Sequence, residues 1–154
     1  MTRSFHYLSM ANHALFSKHV FTMLERAGLT PGQPKVLDYL GEHNGSSQKD
    51  IARGCHIEAA TLTSLLGRME EKGLIMRKMQ DGNRRSLYVY LTQTGWAQQA
   101  AVARTFAQAE QQAMKGISPQ EQEQMLDAIQ AQEDRTQDKL KEKQGVVVRG
   151  SKNW

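Results

Sequence analysis

The sequence predicts a mainly α (α+β) fold, in which a helix and a β-hairpin form a compact lobe set between longer helices. Three observations carry this. In residues 58–72, Leu62, Leu65, Leu66 and Met69 recur at spacings of three and four, the period of a helix with one buried face. Residues 86–91 alternate strictly, with Leu87, Val89 and Leu91 on one face and Ser86, Tyr88 and Tyr90 on the other, as in a half-buried strand. Between them lie a short run, 74–79, and the connection Gln80-Asp81-Gly82-Asn83-Arg84, whose Asp, Gly and Asn are turn formers. Aromatic residues make up only 6% of the 154 residues, which favours an aliphatic, helical core over a β-sandwich.

Residues 4–27 read as one long helix with a broad stripe of Phe5, Leu8, Leu15, Phe16, Val20, Met23 and Leu24, ended by Gly28. So much apolar surface needs a large partner, and a second subunit is a natural one. Thr30 reads as the cap of the next helix, with Pro31 in its first turn and Gln33 completing a capping box. Val36, Leu37 and Leu40 form its buried face, and Asn44-Gly45 ends it. Ser47, with Asp50 three residues on, caps a short helix that turns Ile51, Ala52 and Cys55 inward. A few residues around His56 and Ile57 lead into the helix from Ala59, which Gly73 stops. Helix, tight turn, helix and hairpin is the order of a winged helix-turn-helix.

Thr92 caps a further helix over 93–115, rich in Ala and Gln, with Trp96, Val102, Phe106 and Met114 as its larger apolar groups. Ser118-Pro119-Gln120-Glu121 is a second capping box, and the helix it opens runs to about residue 142 with a sparse set of Met125, Leu126, Ile129 and Leu140. These two helices are too poor in apolar residues to build a core of their own. They are expected to pair antiparallel and to pack with the first helix across a two-fold axis. Residues 144–154 are basic and aperiodic, and are expected to be partly disordered.

The outer face of the 59–71 helix carries Ala60, Thr61, Ser64, Gly67, Arg68 and Glu71. Short side chains with hydroxyl donors and one Arg suit a surface that approaches a groove closely. The charge distribution agrees. Residues 48–92 hold eight Lys and Arg against five Asp and Glu, whereas residues 93–140 hold four against seven. The hairpin segment is therefore the basic part, the kind of surface phosphate attracts. A solvated basic face is the plainer reading of the same charge.

Several function classes find no support. There is no Gly-rich phosphate loop, no nucleophile motif and no pair of carboxylates in an apolar setting, so no enzyme activity and no cofactor are expected. No apolar run approaches the roughly 20 residues of a membrane span, and the N-terminus lacks the pattern of a signal peptide. The single Cys55 cannot form an internal disulfide, which fits a reducing cytoplasm.

In their order and spacing, GLTPGQPKVLDYL, LGRMEEKGLIMRK, the basic pair Arg84-Arg85 and the YLTQTG join resemble the MarR family of bacterial transcriptional regulators over roughly residues 4–142. The resemblance implies a homodimer that binds double-stranded DNA at a near-palindromic operator, usually as a repressor released by a small anionic or phenolic effector. It divides the chain into a dimerisation helix (1–29), a DNA-binding winged helix-turn-helix lobe (30–92), dimerisation helices (93–143) and a basic tail (144–154). Carried onto this sequence, it puts Ala60, Thr61, Thr63 and Ser64 at base-reading and phosphate positions. Arg68, Gln48 and Lys49 become backbone contacts, and Arg84 and Arg85 the basic pair of the wing. An effector crevice would be lined by residues such as Phe5, Leu8, His13, Phe16 and Tyr39. The chain departs from the family at Asn83, where the wing often has Asp (a part Asp81 is placed to take), at Glu58, a mediocre helix cap, and at Gly67, where a polar residue is usual.

Two other triggers and one other class compete with this reading. Cys55 as a redox switch is disfavoured, because it lies on the apolar face of its helix and the family's peroxide sensors keep their cysteine in the first helix. His6, His13 and His19 are spaced by seven and six, which does not set ligands one turn apart, and His43 and His56 flank other helices, so no metal site is expected. A winged helix serving as a protein-interaction module has no use for groove-facing arginines.

Overall fold

The computed structural model describes residues 3–80 and 83–150, with side chains other than those of 83–85 and 145–150. Its elements are α1 (Phe5–Leu24), α2 (Gln33–Glu42), β1 (Ser46–Ser47), α3 (Gln48–Cys55), α4 (Ala59–Glu71), β2 (Ile75–Gln80), β3 (Asn83–Leu91), α5 (Gln93–Ala113) and α6 (Pro119–Gly150). They fall into two compact units, residues 1–111 and 112–154. The first contains the expected winged helix-turn-helix. No helix among the described residues is long and apolar enough to cross a membrane.

Burial of aliphatic side chains organises the first unit. Val36, Leu37 and Leu40 of α2, Ile51 of α3, Leu62, Leu66 and Met69 of α4, Val89 of β3 and Val102 of α5 are almost wholly removed from solvent and belong to one cluster. Spacing predicts an inward face for each of these except Val102, which the sequence marks only as one of the larger apolar groups of its helix. The long stripe on α1 fares differently. Only Val20 and Leu24 of that helix are buried, while Phe5 is 62% and Leu15 69% exposed.

The start of α2 corrects the reading of Thr30 as its cap. The helix begins at Gln33, Gly32 takes the capping place with φ 92°, and Pro34 rather than Pro31 stands in the first turn. Half of the capping box survives, since Gln33 Oε1 accepts from the Thr30 N–H at 3.1 Å. The Thr30 hydroxyl, however, is buried without a hydrogen-bond partner among the described residues. The cause is local: the left-handed turn at Gly32 breaks the chain away from Thr30. A β-carbon there would also stand 2.9 Å from a methyl of Leu65, so the glycine lets α4 approach closely.

The three strands lie in the order β1-β3-β2, all antiparallel. β1 has only two residues, and Ser46 and Ser47 face Val89 and Tyr88. The end of α2 is sewn to the same strand, because Asn44 Oδ1 accepts from the Leu91 N–H at 2.8 Å and the Gly45 N–H donates to Val89 at 2.8 Å. Thr92 caps α5 as expected, its hydroxyl accepting from the Gly95 N–H at 3.0 Å.

In the second unit, the Ser118 hydroxyl accepts from the Glu121 N–H at 3.2 Å and Glu121 returns the bond to the Ser118 N–H at 3.4 Å, a reciprocal capping box. α6 runs to Gly150, past the end near residue 142 that the sequence suggested. The residues that extend it, 143–150, include two glycines and three valines, which are weak helix formers, so local propensity does not account for the extension.

Candidate nucleic-acid interface

α3 and α4 are set by the chain between them. His56, with φ 53°, is the one non-glycine residue with positive φ among those described, and the Ile57 N–H folds back to Ala52 at 3.0 Å. This sharp turn leaves α4 free to expose one face. The N-terminus of α3 is closed by Ser47, whose hydroxyl accepts from the Asp50 N–H at 3.1 Å. At α4 the capping residue is Glu58, whose side chain makes no cap bond.

On α4 the two faces separate as the spacing requires. Leu62, Leu65, Leu66 and Met69 are buried, whereas Ala60, Thr61, Thr63, Ser64 and Arg68 are exposed. Thr63 donates its hydroxyl proton to the Ala59 carbonyl at 2.9 Å, so that oxygen is left chiefly as an acceptor. A β-carbon on Gly67 would meet nothing within 4 Å, so nothing in the fold demands glycine there. Gln48 is half-buried and Lys49 exposed, both in the first turn of α3. Arg84 and Arg85 belong to β3, but their side chains, like the whole of Asp81 and Gly82, lie outside the described residues.

The hairpin is fixed to both helices by a residue that the sequence marks only as one of its charges. Arg77 of β2 donates from Nε to Glu70 Oε2 at 3.1 Å, from a terminal nitrogen to Glu70 Oε1 at 3.3 Å, and from the other to Gln48 Oε1 at 3.4 Å. The guanidinium beside it, bonded to the carboxylate, holds the Glu70 carboxyl below its ordinary range. Further out on the hairpin, Lys78 lies 5.5 Å from the ring centre of Tyr90.

The five residues expected around an effector crevice divide. His13 and Phe16 line a cavity of about 530 Å³ with Lys18, Phe21, Lys35 and Phe106. Phe16 and Phe106 stack across it, with ring centroids 6.5 Å apart and planes 20° apart. Phe106 and Lys35, from α5 and α2, were missed because neither is near α1 in sequence. Tyr39 instead borders a separate cleft of about 380 Å³ with Asp38, His43 and Cys55, and its ring lies 4.5 Å from that of His43. Phe5 and Leu8 line neither and are 62% and 43% exposed.

Cys55 is buried, and its thiol donates to the Lys35 carbonyl at 3.7 Å. Burial pushes the thiol up to about 11, the nearby Lys35 opposing and Asp38 adding to the shift. Burial, and then the neighbouring Glu42, raise the Asp38 carboxyl from its ordinary range. Among the described residues no group of three or more His, Cys, Asp and Glu is placed to hold a metal ion.

Residues 27–86 match the model of the MarR family. The organic hydroperoxide resistance transcriptional regulator of Bacillus subtilis (strain 168) is 32% identical over 89 residues, 58% of this chain and 60% of that protein. The transcriptional regulator HosA of Escherichia coli is 27% identical over 128 residues, 82% of this chain and 92% of that one. The matches to the first three curated relatives span 60%, 54% and 59% of their length, so the chain covers little more than half of each. Among solved structures, the S. aureus MepR–DNA complex superposes with a TM-score of 0.79 at 26% identity, over 88% of this chain and 99% of that one. The transcriptional regulator SlyA gives 0.80 at 25% identity, over 90% and 96%.

Proposed function

We propose that the chain is a member of the MarR family and, on that premise, a sequence-specific DNA-binding transcriptional regulator acting as a homodimer. The observation that carries the reading is the exposed face of α4, where Ala60, Thr61, Thr63 and Ser64 stand clear of a helix whose other side is wholly buried. Small residues let a helix backbone come close to base edges, and hydroxyls supply donors and acceptors. Arg68, one turn on, Lys49 and Gln48 at the start of α3, and Arg84 and Arg85 on the wing anchor phosphates. The MepR structure bound to DNA supports the same use of this fold.

The exposed apolar residues of α1, Phe5 and Leu15 among them, favour a dimer built on the N-terminal helix, with α5 and α6 completing it. Half-sites would then lie about 34 Å apart, one turn of DNA. The regulator is a repressor, released by a small aromatic anion. The cavity supports this choice of ligand, since it offers the stacked Phe16 and Phe106 to a ring and Lys18, Lys35 and His13 to a negative charge. Such a ligand shifts DNA affinity only by as much as it distinguishes the bound and free forms.

The test is binding to labelled DNA from upstream of the protein's own gene, over a salt series with nonspecific competitor. Tight binding that resists competitor and weakens steeply with salt is expected. Weak binding abolished by competitor would leave only general phosphate attraction and overturn the reading for that site.

A further inference from the structure

The contact of Arg77 with Glu70 and Gln48 joins three elements that are distant in sequence: the root of the wing, the last turn of α4 and the first residue of α3. Glu70 does not serve its own helix, since a carboxylate in the last turn opposes the helix dipole. What offsets that cost is the bidentate fork from Arg77, in a pair whose side chains are 21% and 44% exposed. The backbone of Arg77 is fixed as well, because it pairs with the fully buried Val89. Lys72, Gly73 and Leu74 connect α4 to β2 and are held to the exit of the hairpin at Thr92, so the Arg77 fork is the contact that adds the side of α4 and the start of α3 to that seat.

A guanidinium only donates, so it turns the Gln48 amide oxygen toward itself and leaves the Gln48 NH₂ as the group's outward-acting donor. We propose that Arg77 is a positioning residue: it locks the wing at a fixed angle to α4 through Glu70, and it presents the Gln48 amide as a donor to the DNA backbone. This rests on the DNA-binding reading. The competing account is a plain surface ion pair, which contributes little to stability. On that account, removing the negative Glu70 would tighten DNA binding by general electrostatics.

Four variants separate the two: Glu70→Gln, Arg77→Gln, the double variant and Arg77→Lys. Each is tested on the duplex that the wild-type protein selects from a randomised pool and on a shuffled duplex, with hydrogen exchange of the free protein measured alongside. The preference for the selected duplex is expected to fall about tenfold in Glu70→Gln, although that variant loses a negative charge. Arg77→Gln and Arg77→Lys should lose as much, the double variant no more than Arg77→Gln alone, and amides of 75–91 should exchange faster in all three single variants. Should Arg77→Gln not fold, Arg77→Lys keeps the charge while losing the fork. Unchanged or tighter binding by Glu70→Gln, full preference in Arg77→Lys, or strictly additive losses would overturn the proposal. If the wild-type protein selects no sequence, the DNA-binding reading fails, and the exchange rates alone then decide whether Arg77 holds the wing.

Discussion

The backbone carbonyl of Leu74 fills the place where a β-carbon on Gly95 would stand. The same carbonyl accepts from the Thr92 N–H at 3.1 Å, and the Thr92 hydroxyl donates to the Gly73 carbonyl at 2.5 Å. The exit of the wing into α5 is thus seated directly on its entry from α4. Gly95→Ala must push backbone against backbone, with no flexible side chain to yield. It should destabilise the fold by about 1–3 kcal/mol, read as a lower urea midpoint. An unchanged midpoint would show that the two segments separate easily.

Asn44 stands in for a strand neighbour by accepting the Leu91 N–H. Asn44→Ala leaves that part-buried N–H unpaired, at a cost of about 1–3 kcal/mol. Asn44→Asp retains an acceptor and should lose much less. Equal losses in thermal unfolding of the two variants would mean that side-chain volume, not the hydrogen bond, matters there.

The Cys55 thiol holds its proton to about pH 11 in the folded chain, against about 8.5 for an ordinary thiol. Between those values the folded state binds the extra proton, so the contribution is fully present below the lower value and is lost as pH rises toward the upper. Cys55→Ala should therefore show a shallower fall in stability from pH 8 to 11 than the wild type. Maleimide should label the native thiol slowly at pH 7 and rapidly in denaturant. Fast native labelling would contradict the burial.

Arg84→Ala, if the wing reading holds, removes one phosphate contact and should reduce the slope of log affinity against log salt by about 0.9. Affinity should fall for all sequences alike. Lys49→Ala should behave in the same way. An unchanged slope in both would remove these residues from the interface.

How much of this was legible in the sequence depends on the range of the interaction. The inward sides of α2, α3 and α4 were readable because periodicity is local, and the burial of Leu62, Leu65, Leu66 and Met69 follows from their spacing alone, whereas on β3 the alternation holds for Val89 and Leu91 but not for Leu87, which is 41% exposed. Caps at Ser47, Thr92 and Ser118 were readable for the same reason, their partners being three residues away. β1 was not, because two serines become a strand only where β3 lies beside them. The Arg77 tie was hidden too, since Gln48 is 29 residues away and nothing local marks the pair. At the candidate site, the α4 face could be drawn from the sequence. The cavity could be drawn only in part, as Phe106 reaches Phe16 from 90 residues along the chain.

The strand order bears on how the protein behaves when concentrated. A sheet grows between molecules where a long apolar edge offers unpaired amides and carbonyls as a template. Here one flank of the sheet ends in the two-residue β1. The other is β2, which carries Arg77 and Lys78 in its middle. A stray strand would have to desolvate those cations to add itself. The wing therefore presents its hairpin openly without becoming a seed for fibrils.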